Sequence, residues 1–232
     1  MLENFNITAT KLKRLLKVSV YLPRNYNNTL EPLDSVFLLD GQNVFHDVHA
    51  DNEKSMQLGN FLEEENINKI VFAIHAPKNP DWRLSEFIPF NLENPNLDHS
   101  LSIRFKEYIL EELIPLLETK YRLNQNKAII GFKESAYTSL FIGNDSETFK
   151  LIGVFSPIYI NNKDEYLNLI NNKMIYLYAG GTDNDEIDEL SYSIYQHSYK
   201  NNFDNFIFDY EAEKTNTIVD WPYHIIKLIK TL

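Results

Sequence analysis

The segment from Lys127 to Phe141, KAIIGFKESAYTSLF, contains the sharpest local signal in the chain. Ala128-Ile129-Ile130 is a short apolar run without helical spacing, which is typical of a buried strand. Gly131 ends that run, and apolar residues then recur at helical spacing from Tyr137 onwards. The segment therefore predicts a strand, a sharp turn and a helix in direct succession.

This succession is the frame of a nucleophile elbow, in which the motif G-x-S-x-G presents a serine on a strained turn. In this chain the frame contains Gly131, Phe132, Lys133, Glu134 and Ser135. The first glycine is present, but a lysine holds the place of the serine, and a serine holds the place of the second glycine. The sequence thus predicts an elbow whose usual nucleophile is missing.

Other apolar runs predict buried strands that alternate with helices. The predicted strands comprise residues 18–23, 35–39, 69–74, 128–130, 151–155, 174–178 and 206–210. The predicted helices comprise residues 53–65, 102–121, 163–171, 185–200 and a last one opened by an Asp220 cap and Pro222. Residues 5–16 are predicted to form a hairpin with the first strand, and residues 75–99, which contain four prolines, to form a long loop. Such alternation predicts an α/β fold with a mostly parallel central sheet, helices on both faces and an N-terminal antiparallel edge hairpin.

Composition narrows the classes of function. The length of 232 residues suits one domain, 1–232, with a sizeable core. A net charge of -11 argues against nucleic acid or an anionic membrane as a partner, because phosphate groups would be repelled. The chain has no cysteine, which excludes disulfides, thiol catalysis and zinc-thiolate sites. With no signal-like start and no apolar run of membrane-spanning length, we expect a soluble cytoplasmic protein. We expect no cofactor, and a homodimer stays open.

In sheets of this kind, ligands bind at the carboxyl ends of the parallel strands. Six segments are predicted to meet there, namely Asp40 to Asn43, the 75–99 loop, Phe132 to Ser135, Ser156-Pro157, Gly180 to Asp185 and the residues after Tyr210.

Four motifs, in this order along the chain, carry a resemblance to a known family. They are Val20 to Pro23, read as V-Y-L-P; Phe37 to Phe45, which contains L-L-D-G-Q-N-x-F; Arg83 to Pro89, read as R-x-x-E-[YF]-x-P; and Phe155 to Pro157 after the elbow. Together they resemble the putative-esterase family of α/β-hydrolases, the group of enterochelin esterases and esterase D. The resemblance implies an α/β-hydrolase fold and hydrolysis of small carboxylic esters by a serine, a histidine and an acid.

Carried over residue by residue, the family's catalytic positions are mostly substituted. Lys133 holds the nucleophile position. The histidine position lies five residues before Trp221 and holds Asn216. Asp183 fits the acid position, with Asp185 as the alternative. The resemblance therefore implies a degenerate enzyme that retains ligand or partner binding.

The oxyanion hole needs only backbone N–H groups and is expected from the Gly41-Gln42 region and Glu134. We also hypothesise that the Lys133 ammonium forms an ion pair with Asp183 or Glu134.

Two active alternatives compete with this hypothesis. In the first, Ser135 serves as the nucleophile of a rearranged ester hydrolase, although it lies beyond the turn and lacks a base. In the second, Lys133 forms a Schiff base with a carbonyl compound, which requires a desolvated lysine with a lowered pKa. The acids near Lys133 favour its charged form and so disfavour this chemistry.

Other polar residues are expected to shape the pocket or to be structural. The resemblance implies that Arg83 and Glu86 pair in its wall. Ser135 is expected to line the pocket, and His75 is expected either to line it or to serve as a packing or capping residue. Residues 46–51 place four metal-ligand types on one loop but match no metal motif, so we interpret them as a solvated loop and predict no metal site. His224 is interpreted as a structural residue of the last helix.

Overall fold

The computed structural model describes residues 1–89, 94, 96–158, 163–171, 173–182 and 185–232. Its strands are β1 Leu2–Ala9, β2 Arg14–Tyr21, β3 Leu33–Leu38, β4 Ile70–Ile74, β5 Leu123–Phe132, β6 Leu151–Phe155, β7 Met174–Gly180 and β8 Phe206–Glu211. They form one sheet in the order β1-β2-β4-β3-β5-β6-β7-β8. The pairs β1–β2 and β2–β4 are antiparallel, and every other pair is parallel. The predicted mostly parallel sheet with an N-terminal edge hairpin is confirmed.

The helices are α1 Leu58–Glu64, α2 Pro80–Phe87, α3 Ser100–Tyr108, α4 Ile114–Lys120, α5 Glu134–Asn144, α6 Lys163–Leu167, α7 Asp185–Lys200 and α8 Trp221–Thr231. A π-helical turn, Ile109–Leu113, joins α3 to α4, so the helix predicted over 102–121 is one continuous helical run. Short 3-10 turns occur at Tyr26–Asn28, Gly41–Asn43 and Asp47–His49.

Three of the helix and loop predictions were wrong in part. The helix predicted from residue 53 begins only at Leu58, because Asp47 accepts hydrogen bonds from Ser55 and Gln57 and holds this stretch in a turn. The helix predicted over 163–171 ends at Leu167. Asp220 does not cap α8 with its side chain, which instead accepts hydrogen bonds from Thr215.

The predicted 75–99 loop contains helix α2. Asn79 caps this helix by accepting a hydrogen bond from the Trp82 amide, and Pro80 occupies its first turn, where the absence of an N–H costs nothing. The prolines at 77 and 89 lie outside the helix, so they do not interrupt it. This helix carries Arg83 to the carboxyl edge of the sheet.

The sheet is covered on both faces, as its parallel strands require. In β5, Ile129 packs into the cluster under α3, α4, α5 and α7, whereas Ala128 and Ile130 pack into the cluster under α1 and α8. This alternation follows from the two-residue period of a strand. No helix among the described residues has the length and apolar character needed to cross a bilayer.

Candidate functional site

Lys133 occupies a strained turn between β5 and α5. Its backbone angles are φ 52° and ψ −114°, a region that residues with a side chain rarely adopt. The turn is held by two backbone hydrogen bonds, from Lys133 N to Phe155 O at 3.0 Å and from Ala136 N to Lys133 O at 3.1 Å. The chain therefore keeps the backbone geometry of an elbow at the position where the sequence places a lysine.

The glycine before the turn is required by close packing of the backbone. A Cβ atom at Gly131 would lie 1.8 Å from the carbonyl oxygen of Ser135. The serine at the second glycine position of the motif fits because its Oγ lies inside the turn and accepts a hydrogen bond from Phe132 N at 2.8 Å. The elbow thus tolerates the second substitution but not a side chain at Gly131.

A buried polar network ties the elbow to two neighbouring segments. Asp40 follows β3 with φ 54° and is 4 % exposed. Its carboxylate accepts hydrogen bonds from Ser135 Oγ at 2.8 Å and from Arg83 Nε and Nη2 at 2.9 Å each. Arg83 Nη2 also contacts Glu134 Oε2 at 3.3 Å. The network fixes the turn after β3, helix α2 and the start of α5 relative to one another.

The charge of Arg83 is held by this network. Burial alone would lower the pKa of the Arg83 guanidinium, but the charge and hydrogen bonds of Asp40, and then of Glu134, outweigh it and raise the pKa above its ordinary value. Arg83 therefore remains a cation whose partners are already in place.

A cleft of about 200 Å³ opens at this edge of the sheet. Its charged lining residues are Asp40, Lys54, Arg83 and Lys133, and its apolar ones are Met56, Phe132, Ile218 and Trp221. The Lys133 side chain is half-buried and forms no hydrogen bond or ion pair with any described residue. Glu134, one of its two hypothesised partners, pairs with Arg83 instead.

Asn216, which is predicted to hold the histidine position, has its side chain turned toward the backbone. Its side chain is 1 % exposed. The Oδ1 atom accepts a hydrogen bond from Gly180 N at 2.9 Å, and Nδ2 donates to Gly180 O. The side-chain amide therefore joins the end of β7 to the segment before α8, and the neighbouring Thr217 lines the cleft in its place.

Of the two candidates for the acid position, the structure describes only one. Asp183, the first choice, lies outside the described residues. Asp185, the alternative, is the exposed first residue of α7.

Three residues expected in the pocket lie elsewhere among the described residues. Ser135 is fully buried in the polar network, and neither Glu86 nor His75 lines the cleft. The expected Arg83–Glu86 pair is wrong, because Glu86 forms a two-point ion pair with Arg14, at 2.7 Å for each hydrogen bond. Both partners of the true pair are largely buried, so β2 and α2 are joined there rather than at the cleft wall.

His75 packs at the edge hairpin rather than in the cleft. Its Nε2 lies 2.8 Å from Ser19 Oγ, and its ring lies 6.0 Å from that of His49. Burial is the main cause that lowers its pKa to about 4, and Lys17 and His49 add to it. His75 is therefore a neutral structural residue near pH 7.

The expected oxyanion-hole residues lie at two helix starts. Gly41 and Gln42 open the 3-10 turn after β3, and Glu134 is the first residue of α5. The first N–H groups of a helix have no acceptor within it. Gln42 is held by its side chain, which accepts from Ala76 N at 3.0 Å and donates to Asp51 at 2.9 Å. The arrangement supports the oxyanion-hole expectation, which stays a prediction.

The sequence missed a second polar centre, which lies between β8 and α8. His224 Nδ1 lies 2.6 Å from Asp209 Oδ2, and Lys227 contacts both Asp209 and Glu211. Burial alone would raise the pKa of Asp209, but hydrogen bonds from His224 and Tyr176 lower it to about 2. Within the described part of the chain, Asp209, Glu211 and His224 are the one group with metal-site geometry. The Lys227 ammonium already supplies the positive charge that a metal ion would bring to this group. The only sign of this centre in the sequence was Asp209, a polar residue in the last strand.

The chain matches one family model, described as "Putative esterase", over residues 9–232. An IroE-like serine hydrolase from Shewanella oneidensis superposes with a TM-score of 0.80 at 18% identity, covering 100% of this chain and 79% of that one. The BES protein from Bacillus cereus gives 0.75 at 18% identity, covering 99% and 93%. The enterobactin esterase FES from Shigella flexneri gives 0.75 at 15% identity, covering 99% of this chain and 58% of that one. No curated protein sequence matches at a significant level.

The chain belongs to the "Putative esterase" family, since the family model spans nearly all of its length. The structural likenesses, at such low identity, show that it shares the α/β fold of these hydrolases.

Proposed function

We propose that this member of the esterase family no longer hydrolyses esters and uses its cleft to bind a small molecule. The observation that carries the proposal is the lysine at φ 52° in the elbow, where the family mechanism requires a serine. The elbow backbone is intact, so the change concerns the reacting group and not the scaffold.

The family mechanism needs a hydroxyl whose proton passes to an imidazole. A charged Lys133 has no lone pair with which to attack a carbonyl carbon. Asn216 cannot accept a proton near neutral pH, and both ends of its amide are bonded to Gly180. The two positions that should transfer a proton between them are therefore both chemically inert.

The alternative that uses Ser135 has little geometric support. Its Oγ is inaccessible, and its single hydrogen is directed at Asp40 Oδ2 or Phe132 O, at 2.8 Å and 2.9 Å. A carboxylate that is already paired with Arg83 is a weak base for a serine hydroxyl. A substrate could reach this Oγ only if the elbow unfolded.

A hydroxyl and an imidazole do meet elsewhere, at Ser19 and His75. Both side chains are buried and lie outside the cleft. Ser19 donates its only hydrogen to Asn4 Oδ1, which is an acceptor, so His75 must be the donor to Ser19. In that arrangement His75 cannot act as the base for this serine.

The test combines turnover with labelling. Wild-type protein is incubated with p-nitrophenyl acetate and butyrate and, separately, with a fluorophosphonate probe that labels activated serines. We expect hydrolysis at the rate without protein and no labelled residue in the peptide mass spectrum. Turnover that is lost in Ser135→Ala, or a probe attached to Ser135, would overturn the proposal.

A double variant that restores both substituted positions tests the proposal by gain of function, and a second double variant serves as its control. Lys133→Ser with Asn216→His restores both substituted positions, whereas Lys200→Ser with Asn201→His makes the same exchanges on exposed residues at the end of α7. Turnover by the first variant alone would support the idea that these two substitutions removed the activity.

A further inference from the structure

The cleft concentrates positive charge in an acidic protein. The chain carries a net charge of -11, yet Lys54, Arg83 and Lys133 all line this one cleft. Asp40, which lines the same cleft, and Glu134 are both partners of Arg83. Since Arg83 is occupied, the two lysines provide the charge that is left for a ligand.

Lys133 is the better placed of the two lysines. It stands on the rigid elbow, which two backbone hydrogen bonds and the Ser135–Asp40 contact hold in place. Its half-buried side chain has no partner among the described residues, whereas Lys54 is exposed. A half-buried ammonium gains more from an anion than an exposed one, because water screens it less.

Polar residues Asn43, Asn52 and Thr217 also line the cleft, but one of its walls is apolar and aromatic. The rings of Phe132 and Trp221 are 4.8 Å apart, and Trp221 Nε1 donates to Ser156 Oγ at 2.9 Å, which fixes the indole. Met56 and Ile218 complete this wall. A cleft of about 200 Å³ lies below the usual range for sites that hold drug-sized ligands, so its ligand is small.

We propose that the cleft binds a small monocarboxylate with an apolar tail, and that the Lys133 ammonium pairs with the carboxylate while the tail lies against Trp221. The inference deepens the proposed function and rests on it. The carboxylates of Asp40 and Glu134, next to Arg83, oppose a doubly charged phosphate more than a singly charged carboxylate. The lysine that replaces the nucleophile thus makes the site a receptor for the class of acid that ester hydrolysis releases.

The experiment measures binding of sodium benzoate, sodium butyrate and neutral benzamide to wild-type protein by ¹H–¹⁵N NMR titration. We expect saturable shifts for residues around Lys133 with at least one of the two carboxylates, and much weaker ones with benzamide. Lys133→Gln should weaken carboxylate binding about tenfold or more, because a hydrogen bond to a charged group is lost. Lys133→Arg should restore part of the affinity, and Lys200→Gln, which removes an exposed charge on α7, should change it less than about twofold.

The outcomes separate this inference from the proposed function. Equal binding of benzamide and benzoate, unchanged affinity in Lys133→Gln, or no carboxylate binding at millimolar concentration in a protein without ester turnover would each overturn the carboxylate inference alone. Tighter binding of inorganic phosphate than of either carboxylate would also overturn it. Ester turnover by the wild type would instead overturn the proposed function.

Discussion

Two regions of this molecule hold complementary parts of hydrolase chemistry. The elbow after β5 keeps the strained turn at Lys133, but its one hydroxyl, on Ser135, is buried, and no histidine is among the described residues that line the cleft. The centre between β8 and α8 keeps a carboxylate and an imidazole, Asp209 and His224, 2.6 Å apart. His224 is 1 % exposed and stacks on Tyr178 with ring centres 3.7 Å apart, so no substrate can reach it.

The comparison shows that residue types alone do not make an active site. Asp209 and His224 would be natural partners in a catalytic triad, yet here Tyr176 and Lys227 share the same carboxylate. The contacts of Asp209 with His224 and Lys227 join α8 to the sheet. The same pair of residue types therefore joins α8 to the sheet at one place and is absent from the elbow at the other.

The largest expected effect comes from a substitution that disrupts the elbow. Gly131→Ala would place a Cβ atom 1.8 Å from a backbone oxygen, so we expect a loss of at least about 3 kcal/mol in the free energy of unfolding. The control is Gly59→Ala in α1, where the nearest atom lies at 3.8 Å and the variant should be neutral or more stable by up to about 1 kcal/mol. Urea denaturation followed by circular dichroism measures both. Equal stability of the two variants would contradict the close approach of the backbone at Gly131.

The second prediction concerns the Asp209–His224 centre. The folded-state pKa of Asp209, about 2, is lower than its ordinary value of 3.8, so its ionisation stabilises the fold above pH 4 and this contribution is lost as the pH falls through 2. Because Asp209 is partly exposed, we expect Asp209→Asn to cost only about 1–2 kcal/mol at pH 7. The difference from wild type should shrink in denaturation curves recorded near pH 2.

The matched control for that variant is Asp204→Asn, an exposed aspartate in the turn before β8. It should change stability by less than about 0.5 kcal/mol at either pH. A cost for Asp209→Asn that stays the same at both pH values would show that the carboxylate charge does not stabilise this centre.

The smallest expected effect tests whether the backbone of the elbow is strained at Lys133. Lys133→Gly removes the side chain from a conformation with φ 52°, which should raise the free energy of unfolding by about 1 kcal/mol. In contrast, Lys200→Gly near the end of α7 should lower it by up to about 1 kcal/mol, because glycine is unfavourable in a helix. Opposite signs in thermal unfolding would support stored strain at Lys133, and a loss in both variants would argue against it.

Most of the scaffold could be predicted because its signals are local. Runs such as Ile152 to Phe155 are apolar on both faces of a strand, which only a covered parallel sheet accommodates. The elbow frame was equally readable, since Gly131 and the apolar spacing after it are short-range features. The chemistry at position 133 follows from residue identity, and the structure adds its strained backbone angles.

Long-range partners could not be read in the same way. The family resemblance implied that Arg83 and Glu86, which lie on one segment, form a pair. In the structure Arg83 pairs with Asp40, which is 43 residues away in the chain, and Glu86 pairs with Arg14, which is 72 residues away. Helix α2 was missed because prolines at its flanks resemble those of a loop, and only the Asn79 cap and the packing around it define its start.

The amino-acid sequence by itself determined the family and the parallel sheet, and it placed a lysine and an asparagine at the positions predicted for proton transfer. Each of these depends on residue type or on spacing within a short segment. Only the tertiary structure decided that Asn216 is bonded to Gly180, that Ser135 is buried against Asp40, and that Lys133 lines a cleft together with Phe132 and Trp221. Buried polar groups need hydrogen-bond partners, and those partners often come from segments far away in the chain. The pairing of these groups therefore depends on how distant segments pack.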